Sequence, residues 1–320
     1  MKRVLLTGAT GFIGRHCLPS LLESGYDVHA VSSKPNPGSR AFSYSLLPTP
    51  YSPDLPGVNW HQTDLLDAEQ VAELVTGVQP THLLHFAWFV APGKFWTSSE
   101  NLRWVQASLD LLNAFASSGG ERVVMAGSCT EYDWRYGYCS EERTPLVPST
   151  LYGSCKHALQ IMLGAFARQT GISAAWGRIF FLYGPHEHPA RLVASVIGSL
   201  LKDEPARCSH GDQIRDFLHV RDVADAFVAL LEADVTGSVN VGSGQPVAVK
   251  EIVHKIADRL GRPGLVRLGA LPAAPNEPPL VVADIRRLSE EMDWAPQYGL
   301  DDGLEQTICW WRDQIFEGSR

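Results

Sequence analysis

An α/β fold, a doubly wound parallel sheet with a smaller C-terminal α/β cap, follows from three observations on this 320-residue chain. Short apolar runs alternate with amphipathic helical segments from Arg3 to Phe181, the pattern of a parallel sheet covered by helices. A glycine triplet stands directly between the first apolar run and the first helical segment. Beyond Gly184-Pro185 the alternation becomes less regular, as a separate cap would be. The expected organisation is a dinucleotide-binding unit over residues 1–178 and a substrate cap over 179–320, with 220–241 returning to pack on the first unit.

Arg3-Val-Leu-Leu-Thr7 is the first strand, and Gly8-Ala-Thr10-Gly11-Phe12-Ile13-Gly14 leads into an amphipathic helix that ends near Gly25. Glycines here permit a tight turn and let N–H groups at the helix N-terminus approach a pyrophosphate, which the helix dipole favours. The spacing is G-x-x-G-x-x-G and not G-x-G-x-x-G. Asp27 to Ser32 is the second strand, followed by Ser33 and Lys34 where an acid would take the ribose hydroxyls of NAD. With that acid missing, the Ser32, Ser33 and Lys34 corner and Arg15 offer donors and cations to a 2′-phosphate, so NADP is expected, with NAD as the alternative. Six prolines between Lys34 and Gly57 exclude a regular helix, and that stretch reads as an exposed insertion.

Val58 to His61 is a third strand, and Asp64-Leu65 beyond it would cover the adenine ring, unless Asp64 serves as an N-cap for the helix from Asp67. The buried strand Thr81 to Phe86 ends at Ala87-Trp88, with Phe86 and Ala87 against the cofactor and Trp88 toward the substrate. A helix from Asn101 to Ser117 places Leu102, Val105, Leu109, Leu112 and Phe115 at helical spacing. Arg122 to Ala126 is a fifth strand, and Ser128, Cys129 and Thr130 leave its C-terminal end, the edge where parallel sheets bind ligands. The helix from Tyr152 to about Arg168 and a sixth strand from Ser173 to Phe181 complete the regular half. The rest reads as a helix from about Pro189 to Leu201, an isolated strand from Arg215 to His219, helices from Val220 to Leu231 and Val249 to Leu260, and a last helix from Asp301 to Phe316.

A net charge of −8 argues against nucleic-acid or anionic-membrane partners, and no apolar stretch approaches the ~20 residues of a membrane span. The six cysteines lack C-x-x-C spacing, and His186 and His188 lack a third ligand, so no metal is expected and a reducing cytoplasm fits. Tyr152 and Lys156, four apart on a helix, share a face and form a proton-transfer device. A free phenol titrates near ~10, and a neighbouring ammonium with a cationic nicotinamide would bring it into working range.

Taken together, G-x-x-G-x-x-G, Ser128, the Tyr152-x-x-x-Lys156 pair and Arg215-Asp-Phe-x-His219-Val-x-Asp222-Val-Ala closely resemble the extended short-chain dehydrogenase/reductase family of nucleotide-sugar epimerases, dehydratases and 4-keto reductases. The resemblance spans essentially the whole chain and includes Asp293-Trp-Ala-Pro296 with Gly303-Leu304. It implies that Tyr152 exchanges a proton with a sugar oxygen that Ser128 also holds, while Lys156 binds the nicotinamide ribose. It further implies that Arg215 grips a substrate diphosphate, with Arg178 and Arg191 flanking the same cap, and that the protein forms a homodimer through two helices, Asn101 to Ser117 and Tyr152 to Arg168.

Departures narrow the expectation. Cys129 and Thr130 replace the Asp-Glu pair that follows the catalytic hydroxyl residue in dehydratases of this family, Phe181 replaces a diphosphate-binding asparagine, and the arginine of an R-P-G-D stretch has no counterpart near Ala274-Pro275. The activity expected is NADPH-dependent reduction of the 4-keto group of a nucleotide-activated deoxysugar. The alternatives are an NAD-dependent 4-epimerase and, in another class, a non-catalytic dinucleotide-binding regulator.

Overall fold

The structure is a computed structural model that describes residues 2–34, 55–273 and 277–317. Most of the proline-rich insertion, 35–54, and the Ala274-Pro275 stretch lie outside the described residues.

The regular half runs β1 (Arg3–Thr7), α1 (Gly14–Glu23), β2 (Asp27–Ser32), β3 (Val58–Gln62), α2 (Ala68–Val78), β4 (His82–His85), α3 (Glu100–Ser117), β5 (Arg122–Ser128), the short β6 (Tyr138–Cys139), α4 (Leu151–Thr170) and β7 (Ser173–Ile179). Then come β8 (Phe181–Tyr183), α5 (Leu192–Leu201), β9 (Ala206–Arg207), β10 (Ile214–His219), α6 (Val220–Glu232), β11 (Gly237–Val241), β12 (Pro246–Ala248), α7 (Val249–Arg259), β13 (Val266–Arg267), β14 (Leu280–Ala283) and α8 (Leu300–Glu317).

Seven strands form one sheet in the order β11-β7-β5-β4-β1-β2-β3, every neighbouring pair parallel. Strand alternation divides the core into two layers. Val4 and Leu6 of β1 pack with α1 and α6, while Leu5 packs on the opposite face with α2, α3 and α4. Val124 and Ala126 of β5 share the first layer, and Val123 and Met125 the second. The doubly wound α/β architecture is therefore present. Chain order reverses between β1 and β4, and at such a switch point the strand ends open a crevice for ligands.

The expected sixth strand is two. β7 ends at Ile179, and β8 peels away to pair with β10. Nor is β10 isolated, because it also pairs antiparallel with β12 and parallel with β14, whose other neighbour is β6. Those partners lie far along the chain, and local periodicity carries no sign of them. A third apolar cluster joins α5, α7 and α8 through Val196, Ile197, Ile252, Val253 and Leu304. Among the described residues no helix is long and apolar enough to cross a membrane.

Candidate active site

The site is built at the switch point. Gly8 adopts φ +69°, and a Cβ there would stand 2.8 Å from the backbone nitrogen of Ala87 at the end of β4. A Cβ on Gly14 would lie 2.3 Å from the Gly8 carbonyl oxygen, so the helix can start this close to the turn only with glycine at both positions. Gly11 donates its N–H to the Gly8 carbonyl at 2.9 Å and is exposed. The turn thus presents bare backbone, with Thr10, Phe12 and Ile13 half-buried beside it, to anything that lies across the strand ends. A pyrophosphate fits such a cradle.

Arg15 does not extend toward the corner after β2. Its guanidinium donates to the carbonyls of Thr10 at 2.7 Å and Gly11 at 3.2 Å and meets His186 Nδ1 at 2.8 Å. Ser32 is buried, and its hydroxyl accepts the Lys34 backbone N–H at 3.1 Å, while Ser33 and Lys34 are exposed. Asp64 is exposed and accepts from the N–H of Leu66 at 3.0 Å, and Asp67, not Asp64, caps α2 by accepting from Glu69 and Gln70. Leu65 is buried next to it. Phe86 packs edge-on against Phe227 at 4.7 Å, which leaves the small Ala87 as the close neighbour of Gly8.

Across the crevice, Ser128 ends β5 and Tyr152 and Lys156 rise from the first turns of α4, whose N-cap Thr150 accepts the Gly153 N–H at 3.1 Å. Ser128 stands close enough to the Tyr152 phenol to favour its charged form. Ser128 Oγ accepts from the backbone N–H of Thr130 at 3.3 Å and from its hydroxyl at 3.0 Å, giving a row of hydroxyls Thr130, Ser128, Tyr152. Burial pushes the Tyr152 phenol well above its ordinary value, Ser128 and the more distant Arg191 opposing it. Lys156 is brought down to about 7 by burial, against the pull of Glu131. Ser128, and not the lysine, is the first influence opposing the burial of the phenol. The ammonium instead donates to the Ala126 carbonyl at 2.9 Å and lies 3.7 Å above the Trp88 ring. Trp88 is therefore buried beside the lysine.

Two features had no signal in the spacing of motifs. Phe95 and Trp96 meet the Tyr152 ring edge-on at 4.9 and 6.0 Å, and the Tyr152 N–H donates to the Trp96 carbonyl at 3.1 Å. Glu131, fully buried, accepts from the Ser128 N–H at 2.8 Å, from Trp176 Nε1 at 2.9 Å and from Arg178 Nε at 2.8 Å. Arg178 is thus an internal support of the Ser128 loop, not a cation of the cap. Cys129 is buried and its thiol is held far above its ordinary value by that burial, so the position after Ser128 carries no base.

Arg215 is buried, donating to Glu277 at 3.0 Å and lying 5.4 Å over the Phe181 ring. Neither Asp216 nor Asp222 is its partner. Asp216 accepts from Ser243, Gly244 and Ala283, and Asp222 from the N–H groups of Gln297 and Tyr298. Arg191, exposed at the start of α5, places its guanidinium 5.4 Å over Phe95 and so stands on the Tyr152 side. Among the described residues no cluster of His, Cys, Asp or Glu is arranged to hold a metal.

Known proteins share this fold. The model of the NAD dependent epimerase/dehydratase family matches residues 4–242. A UDP-glucose 4-epimerase of Azospirillum brasilense is 26% identical over 338 residues, covering 98% of this chain and 92% of the relative. UDP-glucuronic acid decarboxylase 1 of Xenopus tropicalis is 25% identical over 323 residues, covering 98% of this chain and 73% of that protein. Among solved structures, the UDP-glucose 4-epimerase of Thermus thermophilus in complex with NAD is 26% identical, with a TM-score of 0.81 over 97% of this chain and 99% of the other.

Proposed function

Because the chain belongs to the NAD dependent epimerase/dehydratase family, we propose that it is a nucleotide-sugar oxidoreductase that interconverts a secondary alcohol and a ketone at one sugar carbon, working as a 4-epimerase that retains NAD. One observation carries this reading: Ser128, Tyr152 and Lys156 stand together opposite the glycine turn, while Cys129 and Thr130 supply no base for elimination at a neighbouring carbon. The glycine cradle fits a dinucleotide, which Gly8, Gly11 and Gly14 would hold at the pyrophosphate, Leu65 near the adenine and Lys156 at the nicotinamide ribose. When bound, the nicotinamide supplies hydride acceptance and return.

The chain's own residues do the rest. Tyr152 gives and takes the proton of the sugar oxygen, and Ser128 holds that oxygen with Thr130 fixing the serine hydroxyl. A phenol raised by burial keeps its proton, so the resting site is set to donate to a ketone oxygen and needs an added positive charge to act as a base. Phe95 and Trp96 exclude water on the far side of the ring.

A second reading, an NADPH-dependent 4-keto reductase, draws on the absence of a carboxylate at Ser32-Ser33-Lys34. It loses the contribution expected of Arg15, whose guanidinium is bonded to the glycine turn and His186. Dissociation constants for NADH and NADPH separate the two, since tighter NADPH binding that weakens in Lys34→Ala would favour the reductase. Turnover of UDP-glucose without added reductant supports the epimerase, and its absence across a panel of nucleotide sugars removes that reading. Tyr152→Phe then lowers kcat by about 10²–10⁴-fold with binding retained. We also infer a homodimer through α3 and α4, whose outer faces leave Leu102 and Ile161 exposed; sedimentation as a monomer at micromolar concentration would refute it.

A further inference from the structure

Lysine is costly to bury, and Lys156 is only 4% exposed. What replaces water around its ammonium is one carbonyl, Ala126 at 2.9 Å, and one aromatic face, Trp88 at 3.7 Å. The second contact is made by a ring that cannot easily turn. Trp88 Nε1 donates to Asn101 Oδ1 at 2.9 Å, and Asn101, fully buried at the start of α3, donates through its own amide to the carbonyls of Phe95 at 2.7 Å and Ser98 at 2.8 Å. Asn101 therefore ties two things together: the ring beneath Lys156, and the loop whose Phe95 and Trp96 enclose Tyr152. Trp104, one turn further along α3, packs against Trp88 at 6.5 Å and backs it from behind.

We propose that Trp88 is the positioning residue of Lys156: its ring, fixed by Asn101, serves as the ammonium's solvent and holds the charge at the level of the Ala126 carbonyl, where a ribose would meet it. A cation over a desolvated indole gains more than phenylalanine supplies, and an aliphatic side chain offers no such face. The proposal concerns the lysine of the site assigned above, and its test uses no substrate, so it stands or falls apart from the choice between epimerase and reductase.

Other groups also face the ammonium. Glu131 lies on the loop after β5 with its carboxylate paired to Arg178, Cys155 precedes Lys156 on α4, and His85 ends β4, bonded between Thr7 and Ser108 and kept neutral by burial. Tyr152 sits one turn before it on α4. These remain unchanged in variants of Trp88, so a graded series at that position isolates the ring.

The experiment is an NMR titration of the full chain carrying ¹⁵Nζ-lysine, with the Lys156 signal identified by its loss in Lys156→Arg. The wild-type midpoint is expected near 7. Trp88→Leu should lower it by about one pH unit, and Trp88→Phe by less than half of that, because the phenyl face is weaker but present. Identical midpoints in the three proteins would overturn the proposal, as would an upward shift in Trp88→Leu, which would show water and not the ring solvating the charge. If Trp88→Leu does not fold, Trp88→Phe decides alone: a downward shift of about 0.3 unit or more upholds the proposal, and none overturns it.

Discussion

Two arginines of this protein are buried against glutamates, and what the carboxylates do besides separates a closed pair from one open on a side. Glu131 is fully buried, and its oxygens receive Arg178, Trp176 and the Ser128 backbone at once. Its carboxylate is enclosed by these donors, and nothing outside can reach either charge. Glu277 is a quarter exposed and receives Arg215 at 3.0 Å from one side. A guanidinium fork whose partner is open on one side could take two phosphate oxygens in place of the carboxylate, and the proposal that Arg215 does so with a diphosphate is testable. Burial of the partner, and not of the arginine, is what distinguishes the two, since both guanidiniums are nearly inaccessible.

The two pairs should differ most visibly at Glu131. Glu131→Gln leaves the Arg178 charge facing an amide in a dry interior, and stability should fall by about 3–5 kcal/mol. Urea unfolding measures this; a loss below about 1 kcal/mol would mean the pair is not the closed support described. At the other arginine the effect should appear in binding. Calorimetry with UDP should show affinity falling about 10–100-fold in Arg215→Met, and rising several-fold in Glu277→Gln, where the competing carboxylate is gone. Equal affinity in Glu277→Gln and wild type would show that the pair never opens.

Glu187 sharpens the contrast from a third side. It is buried, near Arg191 but without an ion pair to it, and burial raises its carboxyl to about 8. The folded protein therefore keeps a proton on Glu187 between the ordinary carboxyl value of 4.5 and about 8, where the unfolded chain has lost it. With more protons bound in the folded state, stability falls as pH rises through that window. Glu187→Gln should flatten this part of the Tm-against-pH curve by a few degrees, and an unchanged slope would place the fall elsewhere.

Much of the site was legible because it is local. Glycines at 8, 11 and 14 follow one strand and lead directly into one helix, and Tyr152 and Lys156 need only one helical turn to meet. The apolar β1, β4 and β5 runs likewise announce strands buried on both faces. What stayed hidden joins distant residues. Arg178 meets Glu131 at a separation of 47, Arg215 meets Glu277 at 62, and β10 finds β14 only after α6, β11 and α7 intervene. Arg15 misled for a related reason: read along the chain it is a free cation, yet His186, 171 residues away, is its partner.

The strand order also sets a timetable. β7 has its outer edge covered only by β11, so the parallel sheet is incomplete until Gly237–Val241 has been made. About 60 residues separate Ile179 from Gly237, which at 5–20 residues per second is roughly 3–12 s of synthesis, with the ribosome exit tunnel delaying emergence further. During that interval Ala175, Gly177 and Ile179 offer unpaired backbone along a buried-type, apolar strand. A nascent chain in this state is a substrate for chaperones and for pairing with its own copies, so overexpression at lower temperature should favour soluble product through synthesis kinetics and not through any change in the finished fold.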